Sequence, residues 1–281
     1  PAAGVVLVVT AVLTALTSPA VHLRTFGLDI ASAAGYVVNW TLAARAVDYL
    51  AEDVAASPVQ HFWSLAVEEQ FYLLWPLLLV VTSRWIRRRA SSAPRRVVAV
   101  ALLAIAVPSF VWSLVATQAN PQAAFFITST RLWELGLGAL VAVGANWLAK
   151  LRATMAKVLG WTGLAAVLAA GVLINAAVPW PGYAALLPTL GTAAMIAAGC
   201  ALPAGGVGRL LAVRPAVWIG GLSYSLYLWH WPLLIAAQWY WGELSPGASA
   251  LATAASIVPA WLSLRCLENP IRYAPPLSKS N

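Results

Sequence analysis

Apolar residues run along this chain in stretches as long as a bilayer is thick. Windows of roughly 17 to 22 mostly apolar residues, enough to cross about 30 Å of hydrocarbon, fall near 1–17, 65–83, 97–117, 124–146, 158–177, 184–202, 216–238 and 248–267. The pattern predicts an all-α, polytopic transmembrane helical bundle with about eight spans. The stretch 27–44 is also apolar, but Asp29, Asn39 and Arg45 interrupt it. It suits a shallow or re-entrant helix better than a ninth crossing.

Composition supports this reading. Hydrophobic residues make up 61% of the 281 positions and charged residues 9%, with a mean hydropathy of +0.79. A soluble domain of this size would expose far too much apolar surface at those values. The formal net charge of +8 fixes an orientation. Most of the basic residues fall in loops of one face: Arg84, Arg87, Arg88, Arg89, Arg95 and Arg96; Lys150, Arg152 and Lys157; Arg209 and Arg214; and Arg265, Arg272 and Lys279. Arg24 and Arg45 lie on the opposite face and Arg131 lies inside a span. The positive-inside rule therefore places the arginine-rich 84–96 loop and the C-terminus in the cytoplasm of a plasma or inner membrane protein. Basic charge scattered over loops at membrane edges, with no soluble domain between them, argues against a nucleic-acid partner.

Pro1 opens the chain within an apolar stretch, with no initiator Met, charged n-region or cleavage site, so the expectation is a fragment rather than a signal peptide. The tail 274–281, with Pro275 and Pro276, reads as the start of a linker. Cys200 and Cys266 fall at cytoplasmic helix ends, form no CxxC pair and are expected to be small buried hydrophobes. No metal site is expected.

Polar residues at membrane depth gather in three runs. In the first, His61-Phe-Trp-Ser-Leu-Ala-Val-Glu-Glu-Gln-Phe-Tyr-Leu-Leu-Trp-Pro76, helical periodicity puts His61, Ser64, Glu68, Phe71, Tyr72 and Trp75 on one face, while Glu69 turns about 100° away. A glutamate near a helix N-terminus also stabilises the dipole. That role suits Glu69, and a functional role suits Glu68. The second run, Thr130-Arg-Leu-Trp-Glu-Leu-Gly-Leu-Gly138, sets Arg131 and Glu134 one turn apart. They can pair within the helix, as a structural ion pair or as part of a site, and Gly136 and Gly138 allow close helix packing. In the third, Gly220 to Pro232, Ser223, Tyr227 and His230 form a stripe at i, i+4 and i+7, with a structural and a functional reading of equal standing. At about 1.5 Å per residue, Glu68, Arg131 and His230 lie roughly 5, 10 and 12 Å below the outer surface. With His61 above them, they would line a cavity open to the outside, which could position a hydroxyl and an oxyanion. Of the 15 tryptophans, most fit an interfacial belt, and Trp63, Trp229 and Trp231 are the exceptions.

These runs, together with Glu268-Asn-Pro-Ile-Arg272, resemble in order and spacing the acyltransferase-3 family of integral-membrane O-acyltransferases. The resemblance covers nearly the whole chain. It implies a roughly ten-span domain, with residues 1–273 forming its last eight spans. It also implies transfer of an acetyl or other short acyl group, from acyl-coenzyme A as donor substrate with no bound cofactor, to a hydroxyl of a cell-surface polysaccharide, lipopolysaccharide, peptidoglycan or glycolipid. The family's principal histidine is expected in a helix upstream of Pro1. Glu68, Arg131 and His230, with His61, would then support the chemistry, and Trp63, Ser64, Tyr72, Glu134, Ser223 and Tyr227 would line the substrate. Many relatives continue into an external SGNH-type domain. The alternative is a polytopic carrier or exporter of a polar lipid or saccharide, whose pathway the same residues would line.

Overall fold

A computed structural model describes residues 1–47, 56–89, 93–175 and 177–274. Residues 275–281 of the expected tail lie outside the described residues. Among the described residues the regular elements are helical, with no strand. In chain order they are α1 (Ala2–Thr17), α2 (Leu23–Ala34), α3 (Val38–Val47), α4 (Phe62–Arg88), α5 (Pro94–Ala119), α6 (Pro121–Phe126), α7 (Leu132–Leu148), α8 (Ala153–Leu173), α9 (Leu186–Ala201), α10 (Val207–Leu211), α11 (Arg214–Trp241), α12 (Pro246–Ala255), α13 (Ile257–Ser263) and α14 (Asn269–Arg272). A π-helical turn, Leu264–Glu268, joins α13 to α14.

Among these residues five helical segments are long and apolar enough to cross a membrane: Phe62–Arg88, Pro94–Ala119, Ala153–Leu173, Tyr183–Ala201 and Pro246–Arg272. Ala2–Thr17 and Leu132–Leu148 are apolar but shorter, and α11, rich in Trp and Tyr, is 28 residues long. The chain is a multi-pass membrane protein. The segment 27–44 divides into α2 and α3, of 12 and 10 residues, each too short to cross at about 1.5 Å per residue.

The helix starts follow from local chemistry. The Asn120 side chain accepts from Ala123 N at 2.9 Å ahead of Pro121, and the Ser245 hydroxyl accepts from Ala248 N at 3.3 Å ahead of Pro246. Each pairs an N-cap acceptor with a proline at the first helical position, where no amide hydrogen is needed.

One expected span is built differently. The window 124–146 is not one helix: α6 ends at Phe126, a 3₁₀ turn occupies Thr128–Thr130, and α7 begins after Arg131. Backbone groups freed at membrane depth need internal partners, and hydroxyls provide them. Ser109 of α5 donates to the Ser129 carbonyl at 2.6 Å and accepts from Trp133 N at 3.0 Å. Thr130 Oγ1 lies 2.7 Å from the Ala124 carbonyl and 2.6 Å from that of Ile127.

The chain forms two compact units, one from Pro1–Leu42, Tyr49–Ala66 and Val217–Asn281, the other from Ala43–Asp48 and Val67–Ala216. In the first, Phe26 of α2 is buried and stacks on Trp239 of α11 at 5.1 Å between ring centroids. The buried Trp229 indole donates to Ser263 Oγ of α13 at 2.8 Å. In the second, α8 crosses α9 backbone to backbone. A Cβ on Gly163 would lie 2.6 Å from the Gly191 carbonyl oxygen, and one on Gly191 would lie 2.8 Å from that of Gly163. Only glycine permits such an approach. Gly136 of α7 similarly faces Ala106 of α5, where a Cβ would meet the alanine methyl at 3.2 Å, but around Gly138 a Cβ would meet nothing within 4 Å. Close packing therefore accounts for Gly136 and not for Gly138. Of the two free cysteines, Cys200 is half-buried and Cys266 is exposed, so the expected burial fails at Cys266.

Candidate functional site

The first unit gathers His61, Ser64, Tyr227 and His230. His61 sits just before α4 and is buried, and its ring centroid lies 5.6 Å from that of His230 and 5.4 Å from that of Tyr227. His61 Nε2 is 3.1 Å from the Leu228 carbonyl. A carbonyl can only accept, so Nε2 carries the hydrogen and Nδ1 is a bare lone pair. His61 Nδ1 has no hydrogen-bond partner among the described residues. His230 shows the reverse arrangement. Its Nδ1 lies 2.7 Å from the Tyr227 carbonyl and 3.3 Å from that of Leu226, which places a hydrogen on Nδ1, and its Nε2 has no hydrogen-bond partner among the described residues. The backbone of α11 thus fixes which nitrogen of each ring donates a hydrogen bond. Burial first, then the neighbouring His230, pushes the His61 imidazole down from 6.5 to about 3, against the Leu228 carbonyl, which acts the other way.

Hydroxyls fix the start of α4 to α11. Tyr227 OH donates to the His61 carbonyl at 2.5 Å and lies 2.6 Å from Ser64 Oγ. Because the single phenolic hydrogen goes to the carbonyl, Ser64 is the donor to Tyr227. Trp231 Nε1 donates to the Ser57 carbonyl at 2.8 Å, fastening the segment before α4 to the same helix.

The expected stripe on α11 is corrected at one position. Ser223 is exposed and returns its hydroxyl to the Gly220 carbonyl of its own helix at 2.8 Å. The buried serine is Ser225, which donates to Glu268 at the end of the π turn. A π turn holds one more residue than an α turn, a change of phase that spacing within α11 cannot reveal. Serine returning its hydroxyl to its own helix is the ordinary fate of an exposed one.

In the second unit, Arg131 precedes α7 as its N-cap residue, and Arg131 Nη1 pairs with Glu134 Oε1 at 2.7 Å. The guanidinium carbon lies 5.7 Å from the Phe125 ring centroid and 5.5 Å from that of Trp180, a partly aromatic cradle for a buried cation. Placement of Arg131 inside a span is corrected, because the helix is broken just before it. Glu68, on α4, is half-buried and has no hydrogen-bond or ion-pair partner among the described residues, and Glu69 beside it is exposed. Tyr72 is 59% exposed, so the shared face drawn from His61 to Trp75 does not extend to a buried Tyr72. Trp63 is half-buried in the first turn of α4. Among the described residues no group of three or more His, Cys, Asp or Glu side chains could hold a metal.

Sequence reasoning passed over Ser109, Ser225 and Trp180. Ser109 and Ser225 look like ordinary hydroxyls on apolar helices, while Trp180 lies in a connecting segment and carries no periodic signal. A family model described as an acyltransferase domain matches residues 6–265. The chain is 29% identical over 283 residues to the peptidoglycan O-acetyltransferase OatA of Listeria monocytogenes, a match covering 97% of this chain and 44% of that protein. It is 28% identical over 254 residues to the O-acetyltransferase OatA of Staphylococcus aureus, covering 87% and 41% respectively. It therefore spans less than half the length of these relatives. No solved structure matches it.

Proposed function

We propose, because the chain belongs to the acyltransferase-3 family, that it forms the membrane part of an O-acyltransferase that moves an acetyl or similar short acyl group from acyl-coenzyme A to a hydroxyl of a surface glycan. By analogy with the relatives, that glycan is peptidoglycan. The single observation behind the residue assignment is the histidine pair in the first unit. His230 is half-buried, its Nδ1 hydrogen is held by the Tyr227 carbonyl, and its Nε2 has no hydrogen-bond partner among the described residues. Such a nitrogen, when it carries no proton, accepts a hydrogen bond from the acceptor hydroxyl and fixes its oxygen for attack on the acyl carbonyl. Glu68, a half-buried carboxylate of the second unit without a partner among the described residues, is kept as a supporting residue on the family resemblance alone. The scattering of basic residues supports a cytoplasmic arginine-rich 84–96 loop and a cytoplasmic C-terminus, which leaves the histidine pair toward the outer side.

The test is transfer of labelled acetyl from acetyl-coenzyme A to peptidoglycan in membranes carrying the full-length protein. His230→Gln is expected to lower the rate about 100-fold, the usual loss when a reacting hydroxyl is misplaced, and Glu68→Gln is expected to lower it less. Undiminished acetylation in both variants, together with lost export of a saccharide or lipid, would favour the carrier reading instead.

A further inference from the structure

A cleft of about 310 Å³ runs between the first turns of α7 and α9 in the second unit. Its walls change in character along its length. Glu134, Trp180 and Thr189 stand near the starts of the two helices, and Ile196 lies two turns beyond Thr189 on α9, about 10 Å deeper at 1.5 Å per residue. Leu137, Gly138 and Ala193 complete a mainly apolar channel.

The polar end has an incompletely satisfied acceptor. Arg131 binds one oxygen of Glu134, and the other has no hydrogen-bond partner among the described residues. Side-chain exposure is 10% for Arg131 and 24% for Glu134, so the cation is enclosed while the carboxylate keeps open surface, and Glu134 lines the cleft. A carboxylate accepts several hydrogen bonds, and in apolar surroundings each one left unmade is costly. Arg131 supplies charge balance, which favours an uncharged hydrogen-bond donor over a second cation as the ligand. Trp180 adds an aromatic wall, and the open floor at Gly138, one turn from Glu134, leaves room for a ring.

We propose that this cleft binds a glycolipid, with sugar hydroxyls donating to Glu134, the sugar ring against Trp180 and the hydrocarbon tail along α9 toward Ile196. A polar end and an apolar end inside one channel match a molecule that carries both. Glycolipid binding here does not depend on the acyltransferase reading: the cleft belongs to the second unit and the histidine pair to the first, and binding is measured separately from transfer.

The test is equilibrium binding of radiolabelled n-dodecyl N-acetylglucosaminide to the full-length protein in nanodiscs, beside a dodecyl chain with a methyl-capped glycol head that has no hydroxyl. Saturable binding of the glycoside alone is expected. Gly138→Leu fills space that is empty around Gly138 and should abolish binding. Glu134→Gln keeps the shape and should weaken it about tenfold. If Gly138→Leu fails to give helical, monodisperse protein, Ile196→Trp blocks the apolar end instead. Equal binding of both probes, or full glycoside binding in the folded blocking variant, overturns the proposal. Specific binding without any acetyl transfer would leave the cleft assignment standing and count against the acyltransferase reading.

Discussion

The two units bury polar chemistry in opposite ways. In the first, each of two histidines commits one ring nitrogen to a backbone carbonyl of α11 and leaves the other without a hydrogen-bond partner among the described residues. In the second, Arg131 and Glu134 are opposite charges paired at 2.7 Å, with two aromatic rings beside the guanidinium. A neutral donor keyed by a carbonyl costs little to bury and retains an acceptor. An ion pair carries a large desolvation penalty that the attraction between its partners must offset. The first arrangement is suited to holding a reacting hydroxyl, and the second to fixing a break between helices and presenting one residual oxygen.

The largest expected effect separates the two arrangements by stability. Arg131→Met leaves Glu134 charged and unpaired, and the loss should be about 3–5 kcal/mol, whereas the double variant Arg131→Met with Glu134→Leu should recover most of it. Thermal unfolding in detergent measures both, and an undisturbed single variant would remove the ion pair from any stabilising role. A smaller effect is expected from Tyr227→Phe, which leaves the His61 carbonyl and the Ser64 hydroxyl without their shared partner and should cost about 1–3 kcal/mol. Ser64→Ala, which removes only the terminal donor, should cost less. The smallest is a pH effect confined to the first unit. Folded His61 binds its proton near pH 3, while the unfolded chain binds it near 6.5, so stability falls as pH drops through that window and is unchanged above it. His230 and Tyr227 are the titratable side chains whose rings pack against His61. A His61→Gln protein should lose this part of the acid sensitivity, and identical unfolding profiles from pH 4 to 7 would show that His61 is not its source.

Apolar run length made most of the helices legible in the sequence, because membrane thickness imposes it directly. The break at Thr128–Thr130 was not legible. Its apolar composition continues smoothly, and the hydroxyls of Ser109 and Thr130 that make the break tolerable act through space. His61, Tyr227 and His230 were legible as polar residues at membrane depth, and helical spacing predicted that Ser64 and His61 would be close. Spacing within α11 places Ser223, not Ser225, with Tyr227 and His230, while the partner that draws Ser225 inward, Glu268, is presented by a distant π turn. Arg131 and Glu134 were recognised as a pair from their spacing alone, but the aromatic cradle depended on Trp180, far along the chain.

The crossing of α8 and α9 has a consequence for motion. At Gly163 and Gly191 each main chain fills the space the other would need to slide or roll, so the two helices displace together as a single strut. Widening of the channel along α9 must then come from movement of α7, which is joined to α6 through the short 3₁₀ turn ending at Arg131. That ion pair would act as the pivot of a door hung on a fixed post.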